Sequence, residues 1–377
     1  MGKKKAARIW KRIRAFRYKR VFFLLLAPLA LLCSWLASTD EALCESLFSL
    51  GIYRVVSQVF STFFGVFPIS VGELLVVTLP VVTVALTVRC IVRAVKQKKE
   101  RKQILFRGGA TLAAAAACVF FVFTICCGVN YSRRPFTYYS GLELRDSSAA
   151  ELKALCADLI ADASAFRREV KEDRAGVMRL SENDYKTSLA TRDAFSALAE
   201  EYDVLGGLYA RPKPVILSRG MSYLNITGIF FPFTLEANVN VDAPDYTVPA
   251  TMCHEQTHLR GFMREDEANF IAYLACMASG NADLQYSGTM LALTYSMNAL
   301  YDADREGFRE LRSSYSEGMN RDISAKSEYW KQFETPVASV STSVNNSYLQ
   351  SQGQEDGVKS YGRMVDLMLA YHRKTAE

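Results

Sequence analysis

The chain has 377 residues, of which 50% are hydrophobic and 22% are charged, with a formal net charge of +6. Its mean hydropathy of +0.03 is typical of a protein that lies partly in a membrane. The positive charge is confined to the N-terminal part, because residues 129–377 hold 26 Lys and Arg against 34 Asp and Glu. An acidic C-terminal part excludes nucleic acid as an expected partner.

Residues 1–20 contain ten Lys or Arg and no acidic residue. Beside an apolar run, such a stretch is typical of a cytoplasmic tail that sets membrane orientation and contacts anionic lipids. The alternatives are a nucleic-acid-binding tail and the basic start of a cleaved signal peptide. We therefore predict a basic cytoplasmic tail over residues 1–20.

Three apolar runs are long enough to cross the ~30 Å hydrocarbon layer of a membrane. They cover about residues 21–38, 69–92 and 109–129. The loop 93–107 holds seven basic residues and one acid, whereas the loop 39–68 holds one basic residue and three acids. By the positive-inside rule, the second loop is cytoplasmic. The pattern predicts a membrane domain over residues 21–129 and an extracytoplasmic domain over residues 130–377.

The loop 39–68 contains apolar residues at helical spacing with polar residues opposite them. This pattern predicts an amphipathic helix outside the membrane. The helix either lies on the outer leaflet or packs under the extracytoplasmic domain.

Within the extracytoplasmic domain, residues 142–179, 287–312 and 358–373 are predicted to be helical. Residues 335–354 are rich in Ser, Asn and Gln and predict a loop that covers a cleft. Residues 223–234 and 236–241 predict two short strands, and Pro232 favours a sheet edge. Such an edge either pairs with an extended peptide or belongs to a simple core hairpin.

Residues 254–258 read His-Glu-Gln-Thr-His and contain two of the three histidines of the chain. On a helix both imidazoles lie on one face and can bind one metal ion, while Glu255 can act on a metal-bound water. This HExxH pattern is typical of zinc metallopeptidases. Pro249 and Gly261 predict where the helix begins and ends. The alternative is a solvated helix with two incidental histidines.

A second helix is predicted to begin at an acidic cluster soon after Gly261. Glu265 and Asn269 are four positions apart and share one face of it. We predict that Glu265 is the third metal ligand and that Asn269 is the hydrogen-bond partner of a metal-bound histidine. Glu267 is the alternative ligand, and an acidic cluster that only stabilises the helix N-terminus is the other interpretation.

Six segments together resemble a bacterial membrane family called domain of unknown function 3810. They are residues 130–133, 230–233, 236–238, 254–262, 264–270 and 354–361. The resemblance covers nearly the whole chain and implies a membrane-anchored, zinc-dependent protein. The pattern Glu265-x-x-Ala268-Asn269 is also similar to the second metal motif of the CAAX prenyl proteases and of phage-repressor-cleaving peptidases. In those groups the matching glutamate is the third ligand.

These observations predict a mainly α fold with a small β element (α+β): three N-terminal transmembrane helices followed by a zincin-like extracytoplasmic domain. We expect a zinc metallopeptidase of the bacterial cytoplasmic membrane, acting on a peptide or protein in the cell envelope. His254, His258 and Glu265 would bind Zn²⁺, and Glu255 would be the catalytic base.

Two alternatives stay open: a zinc-binding sensor or scaffold without peptidase activity, and a zinc amidase or esterase for a non-peptide substrate. Tyr301, Tyr371 and His372 are the candidates to stabilise negative charge on the reacting carbonyl oxygen.

Overall fold

The computed structural model describes residues 22–354 and 356–376, which form a mainly helical structure with two small sheets. The predicted basic tail, residues 1–20, lies outside the described residues. The C-terminal domain follows four helices: α1 (Leu26–Thr39), α2 (Glu41–Gly65), α3 (Val71–Lys96) and α4 (Arg101–Cys126). The middle of α2, Cys44–Tyr53, is a π-helix.

Four helical segments in the described residues are long and apolar enough to cross a membrane, not the three predicted. They are Phe22–Thr39, Glu41–Gly65, Val71–Lys96 and Lys98–Ser132. The additional segment is α2, which the sequence indicated as an amphipathic helix outside the membrane. The small number of charged residues in α2 explains the difference, because most of its polar positions are uncharged Ser, Thr or Gln and the helix stays apolar overall.

The two faces of α2 have opposite surroundings. Ser57 and Ser61 are fully buried, whereas the side chains of Val55, Val59 and Phe63 are 63%, 60% and 59% exposed. A helix in a soluble protein normally buries its apolar face and exposes its polar face. In α2 the polar face packs against protein, and the apolar face points outward.

The polar face of α2 is bound to the C-terminal domain near both of its ends. Near its beginning, the Glu45 carboxylate pairs with the buried guanidinium of Arg133. Near its end, Ser61 Oγ accepts a hydrogen bond of 3.0 Å from the Ala210 backbone N–H. Of the two predicted positions for this helix, the structure therefore has it packed along the domain.

The three-stranded sheet joins the domain to the beginning of α3. Its strands are β3 (Lys213–Pro214), β4 (Gly228–Phe231) and β5 (Glu236–Val239). Strand β5 lies in the centre, parallel to β3 and antiparallel to β4, and β4 is an edge strand among the described residues. Glu236 accepts hydrogen bonds from the first two backbone N–H groups of α3. A carboxylate at a helix N-terminus is stabilised there by the helix dipole.

The remaining elements form the body of the C-terminal domain. A two-stranded antiparallel sheet consists of β1 (Lys171–Glu172) and β2 (Met178–Arg179). The helices are α5 (Phe136–Ser140), α6 (Ala149–Arg167), α7 (Asp184–Leu198), α8 (Ser218–Tyr223), α9 (Val248–Leu259), α10 (Glu265–Ala278), α11 (Ala282–Ala303), α12 (Arg305–Arg312), α13 (Glu317–Lys331), α14 (Pro336–Ser351) and α15 (Met364–Ala376).

Helix α10 lies at the centre of this domain. Its residues Phe270, Ile271, Ala272 and Ala275 have no exposed surface. The helix packs against α9 and α11, and also against α7 and α15. Because α10 is buried on nearly all sides, any polar group on it must find a partner inside the protein.

Several predicted bounds differ from the structure. The predicted loop 335–354 is mostly the helix α14, because Thr335 caps its N-terminus and Pro336 occupies its first turn. The helix predicted over 142–179 ends at Arg167 and is followed by β1 and β2. The helix predicted over 287–312 is interrupted at Asp304, whose side chain caps the next helix.

Candidate metal centre

The central helix of the site, α9, is set by residues at its two ends. Pro249 stands in the first turn, where its missing N–H removes no helical hydrogen bond. Gly261 follows the helix with φ of 88°, in the left-handed region that favours glycine. A Cβ atom on Gly261 would also lie 3.0 Å from the ring of Tyr53. The turn at Gly261 brings the beginning of α10 back to the middle of α9.

The structure brings His254, His258 and Glu265 together into one buried cluster. Their ligand atoms all lie within 4.8 Å of one another. The Nε2 atoms of the two histidines are 3.0 Å apart, and Glu265 Oε2 is 3.1 Å from His254 Nε2 and 3.5 Å from His258 Nε2. The predicted ligands from α9 and α10 thus meet at one point.

Hydrogen bonds orient both imidazoles towards this point. His254 Nδ1 lies 2.8 Å from Asn269 Oδ1, and His258 Nδ1 lies 2.8 Å from the Phe262 carbonyl oxygen. Both partners are acceptors, so each Nδ1 donates its N–H and each neutral imidazole presents the Nε2 lone pair to the cluster. Such hydrogen bonds on the second nitrogen are usual for metal-binding histidines.

The cluster fits a bound cation. Glu265 Oε2 is buried, and among the described residues no hydrogen-bond donor with acceptable geometry reaches it. Two imidazole nitrogens and a carboxylate oxygen therefore face each other, and in the described residues no Lys or Arg side chain lies between them. Two nitrogens and one oxygen suit Zn²⁺, and in the described part of the chain no further His, Cys, Asp or Glu completes the cluster. Three protein ligands leave a coordination position for another molecule.

Without an ion, the charged groups of the cluster shift each other's pKa values. Burial would raise the pKa of Glu265, but the two imidazoles outweigh burial and lower this pKa to about 2. Burial would lower the pKa of His258, but the Glu265 carboxylate outweighs it and raises this pKa to about 9. The ion-free cluster therefore holds a proton on His258 at neutral pH, and a metal ion must displace that proton.

Glu255 lies beside the cluster, under the edge strand β4. Its carboxylate fills the space next to Gly228, where a Cβ atom would overlap it. Burial raises the pKa of Glu255, and the nearby imidazoles oppose this rise. A buried carboxylate next to a metal position and lining a cavity has the properties of a general base.

Glu267, the alternative ligand, has a different environment from Glu265. Its Oε1 accepts a hydrogen bond of 2.7 Å from the Phe136 backbone N–H, and its Oε2 lies 3.2 Å from Arg264 Nε. Neither partner belongs to the metal cluster. Glu267 thus ties α10 to the chain that follows the membrane helices.

Asn269 joins three parts of the site. Its Oδ1 accepts from His254, and its Nδ2 donates a hydrogen bond of 3.2 Å to the Tyr361 carbonyl oxygen. The ring of Tyr361 stacks on the imidazole of His254, with centroids 6.1 Å apart and an interplanar angle of 18°. The segment before α15 thereby closes one side of the cluster.

The comparison with known families gives one match. The model of DUF3810, described as a protein of unknown function, matches residues 48–369. The chain belongs to this family. Comparison with curated proteins and with solved structures gives no match. In this DUF3810 protein the matched region contains the whole metal cluster, the edge strand β4 and the later part of α2.

A cavity of about 200 Å³ opens on the metal cluster of this DUF3810 protein. Its lining includes His254, Glu255 and Asn269 on the metal side. Further hydroxyl groups come from Thr and Tyr side chains, and a basic and an apolar side chain come from α13. These further lining residues include Thr247, Thr251, Thr294, Tyr295, Tyr361, Lys326 and Trp330.

The predicted oxyanion candidates do not line this cavity. Tyr301 is 43% exposed and packs against Phe308. His372 Nε2 lies 2.8 Å from the carboxylate of Asp158 at the surface. Tyr371 packs against Phe270 on the far side of α10.

The tyrosines that do line the cavity are Tyr246, Tyr295 and Tyr361, which were not predicted from the sequence. Tyr361 belongs to the C-terminal segment that carried the family resemblance, so a signal existed. Neither Tyr295 nor Lys326 is marked by any local pattern, because each reaches the cavity from a different helix.

Proposed function

We propose that this protein is a zinc-dependent metallopeptidase anchored in a bacterial cytoplasmic membrane, with a zincin-like domain outside it. The observation that carries the proposal is the convergence of His254, His258 and Glu265 around a position that suits a metal ion, beside Glu255 and an open cavity. A structural zinc site would be closed by four protein ligands, whereas three ligands suit catalysis.

Each residue has a distinct role in this proposal. Zinc held by the three ligands would polarise a substrate carbonyl and make a water molecule more acidic. Glu255 accepts the proton of the attacking water and passes it to the leaving amine. Asn269 and the Phe262 carbonyl hold the imidazoles in the orientation that presents Nε2.

The edge strand β4 favours a peptide over a non-peptide substrate. Among the described residues β4 pairs only with β5, so its other edge is not used by the sheet. An extended peptide can pair with such an edge through its main chain. Because Gly228 of β4 lies against Glu255, a peptide on this edge would run directly past the proposed base.

The contacts of α2 support three membrane-crossing helices rather than four. Both ends of α2 are bound to the same C-terminal domain, through Glu45 with Arg133 and Ser61 with Ala210. A helix that crossed the bilayer would have its ends on opposite sides. With α1, α3 and α4 as the spans and basic segments 1–20 and 93–107 in the cytoplasm, the domain lies outside.

The test of the activity compares wild-type full-length protein with Glu255→Gln. We expect about one zinc per chain in both proteins, because Glu255 serves the water rather than the ion. Terminal-labelling proteomics of the cell envelope should show new protein termini with wild-type protein and none with the variant. Zinc in both proteins with identical termini would instead indicate a zinc-binding sensor or scaffold.

The test of the topology uses two introduced cysteines. A membrane-impermeant thiol reagent should label Ser347→Cys in intact cells and should not label Gln97→Cys. Both positions are exposed on the protein surface, so the difference reports the side of the membrane. The opposite pattern would place the metal centre in the cytoplasm and contradict the proposed location.

A further inference from the structure

The cavity at the metal centre contains a basic side chain that the proposed chemistry does not use. Lys326 lies on α13 and lines the cavity together with Trp330, one helical turn later. It is the only Lys or Arg among the described residues that line this cavity. Glu255 is the only acidic side chain of that lining, and its carboxylate lies against Gly228 beside the metal cluster.

The charge of Lys326 has no partner within the protein. In the described ranges 22–354 and 356–376, its ammonium group forms neither a hydrogen bond nor an ion pair, although the side chain is half-buried. Burial is the cause that lowers the pKa of Lys326. An ammonium group in such surroundings is destabilised unless an anion approaches it.

Lys213, a fully buried lysine of the same domain, shows the contacts that a lysine with a structural role makes. Lys213 Nζ donates hydrogen bonds to the carbonyl oxygens of Phe64 and Ile69 at 2.7 and 2.9 Å, and it pairs with the Glu236 carboxylate. All three of its donors are thus satisfied by the protein. Lys326 lines the cavity next to the metal centre, and its ammonium group has no such partners among the described residues.

We propose that Lys326 binds a carboxylate group of the substrate and thereby selects peptides that present one beside the cleaved bond. This inference rests on the proposed peptidase function and adds the substrate class. A cavity of about 200 Å³ is smaller than the pockets of 300–1,000 Å³ that enclose drug-sized ligands. It therefore suits a short piece of substrate, such as the last residue of a chain with its terminal carboxylate.

The carboxylate can come from two sources, a free C-terminus or an acidic side chain. Either one can place its oxygens against the Lys326 ammonium. Hydrogen bonds to charged groups contribute about 1.5–3 kcal/mol. We therefore expect roughly 10- to 100-fold discrimination against a neutral substrate of the same shape.

The experiment measures cleavage of matched peptide libraries by the full-length zinc-loaded protein. One library has free C-termini, a second has C-terminal amides, and a third is amidated but contains Glu in place of Gln at each position. The wild type should prefer the first or the third library by roughly 10- to 100-fold in kcat/KM. Which of these two is preferred identifies the source of the carboxylate.

Two variants test whether Lys326 causes the preference for carboxylate-containing peptides. Lys326→Met should abolish this preference, mainly by raising KM for the carboxylate-containing peptides, and should leave the zinc content unchanged. Lys331→Met is the matched control, because Lys331 lies on the same helix and is exposed. Equal cleavage of all libraries by the wild type, or an unchanged preference in Lys326→Met, would overturn the assignment while leaving the peptidase function intact.

A binding measurement covers the case in which no peptide is cleaved. Equilibrium dialysis of the same libraries against Glu255→Gln, with and without Lys326→Met, reports affinity without turnover. Tighter binding of carboxylate-containing peptides that depends on Lys326 supports the subsite even if the peptidase function fails. Binding that is independent of Lys326, or no binding of any library, contradicts it.

Discussion

Two clusters of buried charge lie next to α9, one beyond its end and one at its middle, and they differ in how the charges are satisfied. At the end of α9, the Arg133 guanidinium pairs with Glu45, donates a 3.1 Å hydrogen bond to the Arg260 carbonyl and lies over the ring of Phe262 at 3.8 Å. In the middle of α9, the metal cluster gathers two imidazoles and a carboxylate, with no Lys or Arg side chain among the described residues.

The difference separates a structural cluster from a candidate functional one. Burial alone does not distinguish them, because Arg133 is 2% exposed and Glu265 is 6% exposed. What distinguishes them is that Arg133 is paired with a permanent counter-ion, Glu45, whereas Glu265 faces only two imidazoles, which can bind either a proton or a metal ion. Residues 130–133 and 264–270 both carried the family resemblance, so a recognisable motif can mark either kind of cluster.

The largest expected effect is on zinc binding by the two glutamates of α10. Glu265→Ala should lower zinc affinity by more than about 100-fold, since loss of a ligand costs more than loss of an outer partner, which costs roughly 10–100-fold. Glu267→Ala should keep most of the affinity, because Glu267 bonds to Phe136 and Arg264 instead. Competition with a chromophoric chelator measures both. The reverse ranking would make Glu267 the ligand.

The second effect concerns stability at the Arg133 cluster. Glu45→Gln leaves a buried guanidinium without its counter-ion, which should cost about 3–5 kcal/mol in the free energy of unfolding. Thermal unfolding in detergent measures the loss, and zinc content should stay at one per chain. Arg134→Met is the control, because Arg134 mainly contacts the exposed ring of Tyr138. Equal destabilisation by both variants would show that the Arg133–Glu45 pair has no special role in stability.

Asn269 should have an intermediate effect on zinc. Asn269→Ala removes the acceptor of His254 and should weaken zinc binding by roughly 10–100-fold, whereas Asn269→Asp keeps an acceptor and should retain most of the affinity. The same chelator competition ranks the two variants. If Asn269→Ala binds zinc like the wild type, the hydrogen bond does not orient the imidazole.

The smallest effect is a pH dependence of zinc affinity. The ion-free cluster raises the pKa of His258 to about 9, so His258 is protonated below this pH and zinc must displace one proton. The affinity should fall by about tenfold for each pH unit below 9, because one proton competes. Calorimetry in buffers of different ionisation enthalpy counts the released protons, and no release at pH 7 would contradict the coupling.

The sequence predicted the residues of the proposed metal site better than the residues that line the rest of the cavity. His254, Glu255 and His258 follow one helical repeat, and Glu265 lies just beyond the turn at Gly261, so short-range geometry brings them together. Lys326 and Tyr361 reach the cavity from elements far along the chain, and only tertiary packing places them there.

The fold was also predicted unevenly, for physical reasons. The apolar runs of α1, α3 and α4 were recognised because each contains a long window with few charged residues. Helix α14 was predicted as a loop because Ser and Asn have weak helix propensity, which its cap at Thr335 and its packing against the following segment override. The orientation of α2 could not be read locally, since its buried face is the polar one.

The strand β4 connects the metal centre to the beginning of α3. Its first residue, Gly228, lies against Glu255, and its last residue, Phe231, lies against Gly72 in the first turn of α3. Three residue steps of strand measure about 10 Å. A domain on a flexible linker would sample many heights above the bilayer. In the proposed topology β4 holds the metal centre at one depth, and the proposed peptidase would select a bond first by its distance from the membrane surface and only then by its sequence.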